Sequence, residues 1–323
     1  MAALRLSLRV VGIVWMAASL PAAGQAPSEL SVVATVPRSA VHLAFGHGAL
    51  WGVGEGRLVR VDAATGAVTD IALPPAPDGV SLIDSERYRG LTVGEGAVWV
   101  PDLAASAIYR FDPADNAVTL TIPTDIFGSV GSIGVGECSV WVLGFTDRDR
   151  TLLRYDTGSG RETGRIPLPA AGAGVVAAHG SIWVTAAHDA ELYRVDPATE
   201  TVAAKIPLAA PSPLLAASED AIWVWHDVDG KLERVDPPTG TVSDVIRTET
   251  LNAASDGDVA AGGGFVWTIN RAGTVARVNP QTMAAAGTFA LAPGPTPGRR
   301  IRYGGDSLWM SGAEIRRIAL PAE

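Results

Sequence analysis

Seven tryptophans, Trp51, Trp99, Trp141, Trp183, Trp223, Trp267 and Trp309, recur at spacings of 40 to 48 residues along the chain. A period of 20 to 50 residues marks an array of one supersecondary unit, and so constrains the fold more than composition does. Three residues before each tryptophan stands Gly48, Gly96, Cys138, Gly180, Asp220, Gly264 or Asp306, a set dominated by residues that suit a tight hairpin turn. After each tryptophan comes an aliphatic-x-Arg segment closing in an Asp-Pro-like turn, as in Ile108-Tyr109-Arg110-Phe111-Asp112-Pro113 and Leu192-Tyr193-Arg194-Val195-Asp196-Pro197. A last apolar run ends in proline, as at Thr121-Ile122-Pro123 and Lys205-Ile206-Pro207.

Each unit therefore reads as four short strands joined by turns. With 36 Gly and 22 Pro spread through the chain, long helices are excluded. Four strands repeated seven times predict an all-β, seven-bladed β-propeller of four-stranded antiparallel blades. The last unit, Ile301 to Ala319, supplies only three strands, while Val32-Val33-Ala34-Thr35-Val36-Pro37 is a spare strand with no unit before it. The spare strand is expected to complete the last blade and so remove an exposed edge.

Residues 1–26 have the parts of a secretory leader: Arg5 and Arg9, an apolar run from Val10 to Leu20, then small residues up to Ala26. This reading assigns 1–26 to a signal peptide and 27–323 to one propeller domain that is periplasmic or secreted. No apolar stretch reaches the ~20 residues that span a bilayer, so no integral membrane segment is expected in the mature chain. The formal net charge of −9 becomes −11 without the leader, which disfavours nucleic acid as a partner. One cysteine, Cys138, excludes an intramolecular disulfide framework.

The pattern Gly-x-Gly-x-Val-Trp-Val, Leu-x-Arg-Val-Asp-Pro-x-Thr-Gly-x-Val and Ile-Pro resembles the YVTN-type bacterial propellers and their streptogramin B (virginiamycin B) lyase-like relatives, over about residues 30 to 320. That resemblance implies the propeller fold and, for the lyases, a histidine-and-glutamate site with Mg²⁺ built around Glu-x-His. This chain departs from it: Ala40, Phe45, Ala177, Ala186 and Val224 stand two residues before its five histidines, so no catalytic residue carries over.

Register sorts those histidines by face. His47 and His179 fall in the hairpin turns, and His42 belongs to the first inner strand or its approach. His188 and His226 follow the tryptophan strands and enter the loops of the opposite face. That face is variable, since the step from tryptophan to the next strand's arginine runs from 9 to 13 residues over the first six units. Its polar residues include Arg87, Asp102, Asp229, Asn270, Arg300 and Arg302. The candidate ligand-binding cluster is Arg148, His188, Asp189, Trp225, His226 and Asp227, with Trp225 as the one out-of-register aromatic available to a ligand. Histidines and carboxylates there would suit a divalent cation; arginine and aspartate together would suit a polar ligand.

Two functions follow. One is a monomeric binding scaffold that recognises a protein or a small polar ligand through its loop-rich face. The other is a metal-assisted lyase or hydrolase. Asp227-x-Asp229-Gly230 matches only part of a calcium loop and reads as a hairpin turn, and the Gly172, Gly174, Ala177 set lacks the helix that a phosphate-binding turn requires.

Overall fold

The computed structural model describes residues 28–75, 87, 88, 90–124, 133–143, 150–248, 257–270, 273–291 and 300–320. Seven antiparallel sheets form the blades, as the repeat predicts. Blade one is β3 (His42–Gly46), β4 (Ala49–Gly54), β5 (Arg57–Asp62) and β6 (Val68–Ala72), paired in that order from the axis outwards. Blade two runs from β7 (Thr92–Gly94) to β10 (Val118–Pro123), blade three from β11 (Ile133–Gly136) to β14 (Glu162–Pro167), and blade four from β15 (Gly172–Ala178) to β18 (Thr201–Pro207). Blade five comprises β19 (Leu215–Ala217), β20 (Ile222–His226), β21 (Lys231–Asp236) and β22 (Thr241–Arg247). Blade six spans β23 (Asp258–Gly262) to β26 (Ala284–Leu291), and blade seven holds β27 (Ile301–Gly304), β28 (Ser307–Met310) and β29 (Ile315–Ala319).

The second strand of every blade carries the tryptophan, and none of the seven is more than 1 % exposed. Its indole N–H reaches back five residues to the end of the inner strand, as from Trp51 to the Gly46 carbonyl (3.2 Å) and from Trp309 to that of Gly304 (2.9 Å). In blade five the acceptor is the Ser218 hydroxyl. Directly across the next strand pair stands the repeat's arginine: Trp51 faces Arg60, Trp141 faces Arg154 and Trp309 faces Arg317. The guanidinium lies over the indole in six blades, from 5.1 Å for Arg154 on Trp141 to 6.0 Å for Arg234 on Trp223. Blade six differs, since Arg277 lies 4.6 Å from the Phe265 ring.

Some of these arginines also bind the next blade. Arg154 Nη1 donates to the Pro197 carbonyl (2.9 Å), and Arg317 Nη1, in blade seven, donates to that of Ala63 in blade one (2.9 Å). Inner strands pack closely enough that a Cβ on Gly304 would fall 2.1 Å from the Phe45 ring of the neighbouring blade, so only glycine fits there. In six of the seven blades the hairpin between strands one and two uses positive φ at both central residues, as at His47 and Gly48. Cys138 holds one of these places with φ 54°, a conformation costly for a residue with a Cβ.

Closure follows the expectation from the spare strand. β2 (Val32–Val36) pairs antiparallel with β29 and completes blade seven. A strand that the repeat does not signal precedes it: β1 (Ser28–Leu30) pairs in parallel with β26 and adds a fifth strand to blade six. Arg38, just past β2, makes a two-pronged bond to Asp70 on β6 (Nε to Oδ1 2.9 Å, Nη2 to Oδ2 2.8 Å). The segment thus ties blades six, seven and one together. Deleting residues 28–37 is expected to lower the melting temperature and to cause concentration-dependent association in size-exclusion chromatography, because two strand edges become free. Unchanged melting and elution would contradict this closure.

Turn chemistry also sets a pH dependence. Asp62, Asp156, Asp196 and Asp236 open the turns after the third strands and accept bonds from backbone N–H groups and Ser or Thr hydroxyls just downstream. These bonds hold all four carboxyls below their ordinary range. A lowered folded-state pKa contributes stability that is full above the unfolded value near pH 4 and is lost as the pH falls through the folded value. The melting temperature is expected to drop between about pH 5 and pH 3. Asp196→Asn keeps an acceptor but does not titrate, so its drop over that window should be shallower; an equal slope would contradict the assignment.

Candidate functional site

A cavity of about 430 Å³ runs along the axis and is lined by inner-strand residues from all seven blades. Residues seven and nine positions before the tryptophans, such as Ala44, His42, Thr92, Arg302 and Arg300, line the cavity, and residues at eight, such as Leu91 and Val259, add to its wall, whereas Leu43 and Ile301 are fully buried. At the seventh position the blades hold Ala44, Thr92, Gly134, Val176, Ala216 and Ala260, and in blade seven Arg302. At the ninth stand His42, Asp258 and Arg300, against Gly90, Gly174 and Leu214. The charged groups therefore gather on blades six and seven, beside His42 of blade one, at the cavity end nearest the loop-bearing face.

Asp258 opens β23 and is 7 % exposed. Its Oδ2 accepts the Ile301 backbone N–H (2.9 Å) and Arg302 Nη1. The same Nη1 reaches the Ile301 carbonyl (2.6 Å). Arg300 Nη1 donates to the Gly257 carbonyl (2.9 Å), while its Nε is buried without a partner among the described residues. Tyr303 closes this side of the ring; burial first, and its bond to Asp306 second, push its hydroxyl pKa up, so it stays protonated. Among the described residues, two guanidiniums stand against one carboxylate at this end of the cavity.

The cluster drawn from the sequence falls in different places. His188 and Asp189 are exposed. Arg148 lies outside the described residues, as do Asp147 and Asp149. Trp225 is fully buried, packed in the core beside Trp223 and Val259 with its ring against Gly257, and is therefore a core residue rather than a surface for ligand. His226 ends β20 instead of entering a loop, and is 3 % exposed. Asp227, equally buried, accepts the Gly257 N–H (2.9 Å). No bond joins His188 to His226, and among the described residues no three His, Cys, Asp or Glu side chains gather to hold a metal ion. Of the rim residues, Arg87 and Asp102 form a bidentate pair (2.9 and 2.7 Å) that fixes the crossing before blade two.

His226 has a partner that sequence reasoning missed. Its Nε2 lies 2.7 Å from Oε2 of Glu233, which also accepts the Ala209 N–H (3.1 Å). Glu233 stands one residue before the strand arginine, where Val59, Tyr109, Leu153, Tyr193 and Ala276 occupy other blades. Aligning units on the strand arginine reveals Glu233 at a core position, which blade seven fills with Arg316, and aligning them on the tryptophan reveals Asp258, Arg300 and Arg302 at ring positions.

No protein-family model matches the chain, and no curated protein matches it by sequence. Solved structures do match in fold. A streptogramin B lyase shares 16 % identity at a TM-score of 0.70, covering 91 % of this chain and 97 % of that one. A catalytically inactive virginiamycin B lyase from Staphylococcus aureus, solved with quinupristin, shares 15 % at 0.70, covering 91 % and 99 %. A chain of a mitotic checkpoint complex shares 8 % at 0.72, covering 98 % and 100 %. Identities this low establish the seven-bladed architecture and nothing finer.

Replacing Asp258 by Ala frees Arg302 and strands the buried Ile301 N–H. The expected cost is about 1 to 3 kcal/mol in urea denaturation; a variant within ~0.5 kcal/mol of the parent, the range of an ordinary surface substitution, would show that the carboxylate does not hold this site.

Proposed function

We propose that this chain is an exported binding propeller that takes a small anionic ligand at the axial end nearest its loop-rich face. The observation that carries the reading is the placement of Arg302 and Arg300 at ring positions that six other blades fill mainly with small or apolar residues. A guanidinium donates strongly to an anion where it is partly withdrawn from water, as Arg302 is at the cavity wall. The volume of about 430 Å³ lies in the range of small-molecule sites. Export is supported by the leader composition of residues 1–26.

Calorimetric titration with acetate and with inorganic phosphate tests this directly. Saturable binding is expected in the parent, weakened at least tenfold in Arg302→Gln; equal binding in both, or none, would contradict the reading.

A second reading, catalysis, is favoured by one pair. The His226 imidazole is oriented by a buried carboxylate and keeps a free Nδ1, which is the arrangement of a positioned base. Its Nδ1 is buried away from solvent, however, and among the described residues no hydroxyl or thiol nucleophile is bonded to it. Incubation with quinupristin, followed by mass spectrometry, is expected to leave that compound unchanged; modification that His226→Gln abolishes would establish the catalytic reading instead.

A further inference from the structure

Resting on the axial site proposed above, we infer that the ligand is an aliphatic monocarboxylate whose chain runs down the channel. The first argument is the geometry of Arg302. A guanidinium offers donors in a fixed fork, and the side-on edge formed by Nε and Nη2 presents two parallel N–H groups that match the two oxygens of a carboxylate. Here Nη1 alone is engaged, by Asp258 and by the Ile301 carbonyl, while Nε and Nη2 have no partner among the described residues. Neither atom is buried from solvent, and Arg302 lines the cavity. Asp258 therefore acts as a positioning residue that holds one end of the guanidinium and leaves the side-on fork free.

The second argument is the wall. At the ring level of Arg302 and the level next to it, the channel wall includes Ala44, Val93, Val176, Ala216 and Ala260, whose side chains offer contact to methylene groups. Beyond Arg302 and Arg300 these apolar side chains offer a polyanion such as a nucleotide no charged partner, so its further charge would be costly to bury. A single carboxylate with an apolar body satisfies both ends.

The test is calorimetric titration of the mature chain with butanoate, hexanoate and octanoate, with acetate and inorganic phosphate as short anions and octyltrimethylammonium as a cationic control. Affinity should rise roughly fourfold per methylene, the equivalent of burying each CH₂. Octyltrimethylammonium should not bind. Arg302→Lys keeps the charge and loses the fork, and should weaken octanoate at least tenfold. Ala216→Leu fills the channel without touching the arginine; it should abolish the chain-length dependence while sparing acetate. Melting curves establish that each variant is folded. If acetate and phosphate bind through Arg302 with no gain from longer chains, the anion site stands and the monocarboxylate assignment is overturned. Equal binding of octyltrimethylammonium overturns it too. If no anion binds, the axial-site reading itself fails.

Discussion

Each blade is pinned at one cross-strand pair, a tryptophan on the second strand facing an arginine on the third. The indole supplies the large apolar body that fills the space between sheets, and its N–H closes the inner hairpin. The arginine lies on the indole face, where the ring quadrupole attracts its charge and the stem is shielded from water. From there the guanidinium can reach the turn of the next blade, as Arg154, Arg194 and Arg317 do. One pair thus couples packing within a blade to adhesion between blades, which is why the pair recurs in all seven units while the loop between its two members varies in length.

A ring built from equivalent units has no preferred side, so recognition must arise where equivalence is broken. Two breaks stand out. In blades six and seven, Asp258, Arg300 and Arg302 replace small or apolar ring residues and put charge into the channel. In blade five, Glu233 replaces a core residue and takes the imidazole of His226 with it. The second break is sealed inside the sheet interface and joins strand two, strand three and the crossing at Ala209. Only the first opens onto a cavity. The N-terminal segment lies on the same side of the ring, since β1, β2 and Arg38 fasten the outer rims of blades six, seven and one. The blades that carry the charged residues are therefore also those closed last by the chain.

Most of the architecture was legible from spacing. The tryptophan period, the invariant turn offset and the missing last strand together predicted seven blades and the closing role of Val32 to Val36, because each rests on local rules of turns and strand alternation. β1 was not legible: Ser28-Glu29-Leu30 is too short to carry an alternation signal, and its parallel pairing depends on where β26 ends. The site was legible only in part. Reading histidines as loop residues ignored how far β20 extends, so His226 and Asp227 went to the rim when both are buried, and Trp225 was offered to a ligand when it packs against Gly257. Arg302 was counted among the rim charges, but its ring position emerges only when the inner strands are aligned on the tryptophan. That alignment uses sequence alone, and the chemistry that mattered was a residue type at a position, not a motif.

The account places a carboxylate-binding fork at a ring position that the other six blades fill with small or apolar residues. Its most direct test is a crystal structure of the mature chain soaked with octanoate. The account places the carboxylate oxygens about 2.7 to 2.9 Å from Nε and Nη2 of Arg302, with the alkyl chain along Ala216 and Ala260. Octanoate seated on the outer face near His188, or a channel holding only water while Arg302 turns away to another partner, would contradict it.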